Sequence, residues 1–250
     1  MSSQKRLLPR VKNASLRSAV IDSIRHAILS GTLLPGMPLR GFSLAQDLGV
    51  SQGTVREALQ YLQNQGLVSN LPGIGTAVTR LSAKELRERL SLRSMLEGQA
   101  GVEAAPRMTA TEFAELDKKL QVLCRAVEGR LYFESAEADL EFHRHIWRCS
   151  GNDTLYNMLD QLSAPIFAFL AVMRKQGFDE FGSGASAVAW QQASHEPLID
   201  ALKGGDPVSI RKVFAGGIGN TYERYCEWVM KTQPGLPPNV LEETVMRNEA

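Results

Sequence analysis

A chain of 250 residues exceeds the usual size of one compact domain, and its 44% apolar and 22% charged content excludes a disordered or fibrous protein and predicts two globular units. Cys124, Cys149 and Cys226 are odd in number and have no C-x-x-C spacing, which argues against a disulfide framework or zinc ribbon and for reduced thiols acting as small core hydrophobes. The net charge of +1 hides a division: residues 1–80 hold nine Lys/Arg against three acids, net +6, while the remainder, with 19 basic and 24 acidic residues, is −5. Such a split fits a chain of which one part meets a polyanion, and equally one with a solvated basic face, so the local pattern must decide.

From Leu16 to Leu29 the apolar residues Leu16, Val20, Ile24, Ala27 and Ile28 follow helical spacing, with Ser15 as the expected N-cap and Gly31 as the stop. Pro35-Gly36 marks a turn. The run SLAQDLG from Ser43 to Gly49 predicts a helix of two turns that starts on a capping serine and ends on a glycine. Ser51 can cap a third helix, through Gln65, on which Val55, Ala58, Leu59 and Leu62 share a face. Short helix, glycine, tight turn and capped helix is the pattern of a helix-turn-helix, whose second helix enters the major groove of duplex DNA. Its outward residues are Gln52, Thr54, Arg56 and Gln60, of which glutamine pairs well with adenine and arginine with guanine. Beyond Gly66, Leu67 to Ser69 and Thr76 to Thr79 flank PGIG, a β-hairpin that reads as a wing.

The runs IRHAILSGTLLPGMPL, LAQDLGVSQGTVREALQYLQNQGLV and PGIGTAV resemble the DNA-binding domain of the GntR family over about 65 residues. The resemblance implies that Arg40, Gln52, Thr54 and Arg56 face DNA and that Gly75 sits at the wing tip near the minor groove. Gln52, Thr54 and Ile74 stand where the family usually has arginine, proline and arginine, which implies an operator different from the common one.

After residues 81–83, read as a hinge, SAKE from Ser82 and TATE from Thr109 have capping-box spacing. Helical patterns run over about 84–104, 110–128, 134–150, 153–175, 186–203 and 207–231, broken at Pro106, Gly129, Gly151-Asn152, the loop 177–185 and Gly204-Gly205-Asp206. No strand alternation interrupts them. The expected fold is therefore mostly α: a winged helix-turn-helix over 10–80, an antiparallel bundle of about six helices over 84–231, and a proline-containing tail over 232–250. No run reads as a membrane span, and the N-terminus has no apolar stretch of a signal peptide, which predicts a cytoplasmic protein with no membrane partner.

Asp139 and His143 are four apart on one helix face and can share a metal ion, with His195 from a later helix as a third ligand. A plain hydrogen-bonded helix pair fits the same spacing, and His145 should point elsewhere. LRSMLE from Leu92, DLEFH from Asp139 and His195 ahead of ALKGGD resemble the FadR branch of the family, with its FCD-type ligand-binding domain. That resemblance implies a divalent metal such as zinc held by one aspartate and three histidines, orienting a carboxylate effector. Here Asp139, His143 and His195 match, but the fourth position is Gly217, so either water or effector completes the metal, or the site is a metal-free polar pocket. Arg93 is the candidate clamp for the effector carboxylate, with a salt bridge to Glu97 as the alternative, and Asn220 is a further effector-facing candidate.

The implied function is a DNA-binding transcriptional regulator, a repressor, that meets a near-palindromic duplex operator as a homodimer and answers a small carboxylate. Two rival readings fit the same sequence: an effector-blind DNA-binding dimer, and a metal-dependent hydrolase built on Asp139, His143 and His195. The second lacks an activated nucleophile or a second carboxylate beside the three residues, so the chain is read as no enzyme.

Overall fold

The computed structural model describes residues 14–71, 73–175 and 185–217. Three helices and a wing come first: α1 (Ala14–Leu29), α2 (Gly41–Leu48), α3 (Gln52–Asn64), β1 (Val68–Leu71) and β2 (Gly75–Val78). Val20, Ile21, Ile24 and Ile28 of α1 bury against Val55, Ala58, Leu59 and Leu62 of α3, each burial contributing about 1.5–3 kcal/mol for the larger side chains. Two expected caps are corrected. α1 already includes Ala14, so Ser15 lies inside it, and α2 starts at Gly41 with Arg40 at the N-cap and no side-chain cap bond. The reason at α2 is the segment before it: Leu39 donates its N–H to Thr76 O at 2.8 Å and Pro38 bridges Ala77, so the chain leaves an extended pairing at Arg40 and coils at once.

Gly49 closes α2 at φ +64, and Ser51 caps α3 by accepting from Thr54 N at 3.2 Å. β1 and β2 pair antiparallel from Val68 opposite Val78 to Leu71 opposite Gly75, and the Pro38 bridge adds a third edge to the wing.

The second unit runs α4 (Ala83–Ala104), a 3-10 turn over Ala105–Arg107, α5 (Ala110–Glu128), α6 (Tyr132–Cys149), α7 (Asp153–Lys175) and α8 (Ala185–Gly204); a helix α9 over 207–217 follows. Ser82 and Glu85 form the full capping box, and Thr109 accepts from Glu112 N. α6 lies between α5 and α7, so both its sides are apolar: Leu140, Phe142, Ile146 and Trp147 are 2% exposed or less. Over Asp153–Val172, α7 is long and apolar enough to pass for a membrane span, contrary to the reading that no such run exists, but 72% of that stretch is buried inside the protein. Asn220, Cys226, residues 176–184 and 218–250, and with them most of the expected loop 177–185, the later part of the helix expected over 207–231 and the expected tail, lie outside the described residues.

The two units share a seam. Ile28, Leu67 and Val78 face Pro165, Ala168, Phe169 and Val172 of α7 across an apolar contact. Pro165 has no N–H for the carbonyl of Gln161, four residues back. Gly66, at φ +73, packs against that freed carbonyl so closely that a Cβ would stand 2.8 Å from it. Gly66→Ala therefore meets both a left-handed backbone and an unyielding oxygen, and should lower stability by about 1–3 kcal/mol, measured as a lower urea midpoint.

Candidate functional site

Three side chains from two helices converge inside the second unit. Asp139 and His143, one turn apart on α6, and His195 on α8 are 7%, 7% and 5% exposed. Asp139 Oδ1 lies 3.1 Å from His195 Nε2 and 3.5 Å from His143 Nε2, and one ligand atom from each residue fits within 4.8 Å of the others. The Phe142 ring stands nearly perpendicular to both imidazoles, with ring centroids 5.5 and 4.8 Å away.

The far nitrogens of both rings face oxygen atoms. His195 Nδ1 sits 2.9 Å from Gln191 O, and His143 Nδ1 lies 3.0 Å from Glu97 Oε1. Each contact turns Nε2 towards Asp139, as a metal-binding histidine requires of the group behind it. Glu97 is fully buried, and the sequence shows it only as a partner for Arg93. Its Oε1 accepts from Arg93 Nη2 at 3.1 Å and from Trp147 Nε1 at 3.1 Å. Burial pushes the Glu97 carboxyl up, but Arg93 and His143 outweigh it and its pKa falls to about 2. Burial likewise opposes ionisation of Asp139, and the hydrogen bonds from His143 and His195 reverse this and hold it low. For His143, burial disfavours the cation, yet Glu97 beside it raises the pKa.

Around these groups lies a cavity of about 60 Å³, lined on its apolar side by Phe167, Leu170, Trp190 and Phe214. Gly217 also lines it, and among the described residues nothing stands within 4 Å of where its Cβ would be. One carboxylate and two imidazoles, with their outer nitrogens facing oxygens and an open side towards a cavity, fit a divalent metal with a vacant coordination position. Arg93 reaches the same cavity with its guanidinium 4.6 Å from the centre of the Phe167 ring, and the Glu97 salt bridge is also present. His145 points away as expected, its Nε2 3.0 Å from Glu112 O on α5. Cys124 and Cys149 are free and half-buried, with burial raising both thiols above their ordinary range.

On the first unit, Gln52 and Arg56 are exposed along α3, and among the described residues no ion pair or hydrogen bond engages the Arg56 guanidinium. Arg40 is exposed at the start of α2. Thr54 is half-buried and its hydroxyl lies 2.9 Å from Ser51 Oγ, so it serves the cap of its own helix. Gly75, at φ +86, is exposed where β2 leaves the wing turn, and Ile74 beside it is 57% exposed.

A family model described as bacterial regulatory proteins, gntR family, matches residues 16–78, and one described as FCD domain matches 88–215. The chain belongs to the GntR family. As a GntR regulator with an FCD domain it is a DNA-binding transcription regulator with an effector-binding unit, not an enzyme. It is 31% identical over 204 residues to the probable D-xylose utilization operon transcriptional repressor of Paenarthrobacter nicotinovorans, covering 79% of this chain and 83% of the relative. It is 30% identical over 153 residues to the HTH-type transcriptional regulator McbR of Escherichia coli, covering 61% and 69%. The solved structure of E. coli McbR/YncC superposes with a TM-score of 0.70 at 26% identity, covering 86% of this chain and 99% of the other. GntR regulators of this kind bind DNA operators, and their FCD domains take small molecules, often through a metal.

Proposed function

We propose that this GntR regulator is a cytoplasmic repressor that binds a near-palindromic operator as a homodimer, with each winged unit in one half-site. Arg40, Gln52, Thr54, Arg56 and Gly75 form the DNA-facing set in this reading, with Gln52 and Arg56 reading bases and the wing tip at Gly75 against the minor groove. Thr54 contributes through the capped first turn of α3, since its hydroxyl is shared with Ser51. Repression is favoured by the relative named as a repressor of the D-xylose utilization operon. The working division is a DNA-binding unit over 10–80, a connection at 81–83, an effector and dimerisation unit over 84–231 and a tail over 232–250.

The observation that carries the sensing half is the convergence of Asp139, His143 and His195 on one cavity. These three hold a divalent metal such as zinc, which supplies a Lewis-acidic anchor for a small carboxylate when bound. Gly217 leaves the fourth position to water or effector, and Arg93 adds positive charge at the cavity wall. Asn220 stays in the proposed effector set from the sequence alone.

Thermal shift of the purified protein against zinc and a panel of organic acids tests this reading. Zinc at 100 times its dissociation constant should stabilise the native state by about 2.7 kcal/mol. His195→Ala should abolish that shift, since two ligands cannot hold a tetrahedral ion tightly. An acid that raises the melting temperature only when zinc is present identifies the effector class. No shift by any metal or acid would instead leave a dimer that binds DNA without sensing.

A further inference from the structure

The recognition helix is fastened at its far end to the helices that carry the sensing site. Gln65, the C-cap residue of α3, donates from Nε2 to Asp160 Oδ2 of α7 at 3.3 Å. Its Oε1 accepts from Arg25 Nη2 of α1 at 2.9 Å, so the amide ties α1 and α3 to α7 together. Asp160 is 7% exposed and its other oxygen is held by Arg144 of α6, whose Nε donates to Oδ1 at 2.7 Å and whose Nη2 also reaches it. Arg144 follows His143 directly. One residue of α6 therefore enters the sensing cluster, and the next, turned by about 100° around the helix, holds the carboxylate on which the recognition helix rests.

We infer that Asp160 is a positioning residue for DNA binding: held by Arg144, it docks the C-terminal end of α3 on the effector unit and carries movements of α6 to the DNA-reading end. This goes beyond the proposed function but rests on it for the direction of signalling. α3 is 13 residues long, about 20 Å at 1.5 Å per residue. A rotation of about 10° about its docked end displaces the Gln52 end by roughly 3 Å, enough to break hydrogen bonds to base edges. The close approach of Gly66 to the freed carbonyl of Gln161 leaves little room for slip at that end. A ligand that favours one placement of α6 thus favours one presentation of α3, as a shift between two arrangements requires.

Two variants on opposite sides of the junction test this. Asp160→Asn keeps the shape, and Arg144 retains Glu141 at 2.9 Å, so no buried arginine is stranded. Gln65→Met removes the bridge from the winged unit and leaves the effector unit untouched. In the full-length protein, each should speed amide hydrogen exchange in residues 63–67 about tenfold, and the double variant should be no faster than either single one. Unchanged exchange in both single variants, or additive effects in the double, would overturn the inference. The second readout is affinity for a duplex selected by the wild-type protein from a random library, with and without saturating zinc. The wild-type ratio should differ from one severalfold, and both variants should bring it close to one. A wild type that binds zinc with a ratio of one, or variants that keep the wild-type ratio, would remove Asp160 from the signalling path. If zinc fails to bind at all, the metal reading falls, and amide exchange alone decides the docking role.

Discussion

Glu97→Ala is expected to lower stability by about 3–5 kcal/mol, a fall in melting temperature of roughly 10 °C for a chain of this length. No part of Glu97 is exposed, and its Oε1 accepts from Arg93 and Trp147 and lies 3.0 Å from His143 Nδ1. Removing it leaves the Arg93 guanidinium, whose side chain is 7% exposed, without a counter-ion in a low-dielectric interior. The Trp147 indole N–H, fully buried, is left without its acceptor as well. Breaking one half of a buried ion pair costs far more than removing both halves, because desolvation of the surviving charge is no longer offset. The double replacement Arg93→Met with Glu97→Met should therefore recover most of the missing stability, and urea denaturation of the single and double variants measures both. A Glu97→Ala protein within about 1 kcal/mol of wild type would mean that the cluster relaxes or admits water. The same residue orients His143 towards the metal position, so Glu97→Gln should weaken zinc binding by about 10- to 100-fold, read by competition with a chromophoric chelator.

Much of this was legible in the sequence because it follows short-range periodicity. The buried stripe of α3, the wing around Gly73 and Gly75, and the bounds of α7 at 153–175 all come from spacing and from glycine or capping residues. Asp139 and His143 could be paired because four residues make one helical turn, whereas His195, 52 residues on, had only its residue type to offer as a third ligand until the resemblance supported it. What stayed hidden depends on distance in space. Glu97 offered one visible neighbour, Arg93, and nothing in the spacing showed that Trp147 and His143 would reach the same oxygen from α6. The meeting of Gln65 with Asp160 spans 95 residues and carries no periodic mark. Ser43 failed as a cap for a local reason: pairing of Pro38 and Leu39 with β2 fixed where the chain leaves the wing, so α2 begins two residues earlier than its serine.

Arg56→Ala should weaken binding to the selected duplex by about 1–3 kcal/mol per half-site, and the homodimer proposed above would suffer the effect in both half-sites. The variant is clean because Arg56 is exposed on α3 and, among the described residues, supports no ion pair or hydrogen bond. Alanine is also the better helix former, so circular dichroism and melting temperature should be unchanged. How the weakening depends on sequence and salt then separates two roles. Where the arginine is bidentate to guanine, its removal lowers affinity mainly for the selected sequence and relaxes preference at one base pair of each half-site. Where it sits on phosphate, its removal weakens all duplexes alike and reduces the salt dependence by about one counterion per phosphate. Thr54→Val is the comparison from the same turn: its hydroxyl already lies 2.9 Å from Ser51 Oγ, so the change should fall mostly on the helix cap, by about 1 kcal/mol or less. If Arg56→Ala binds every duplex as the wild type does, with the same salt slope, the groove-facing assignment of this helix fails at its best exposed cation.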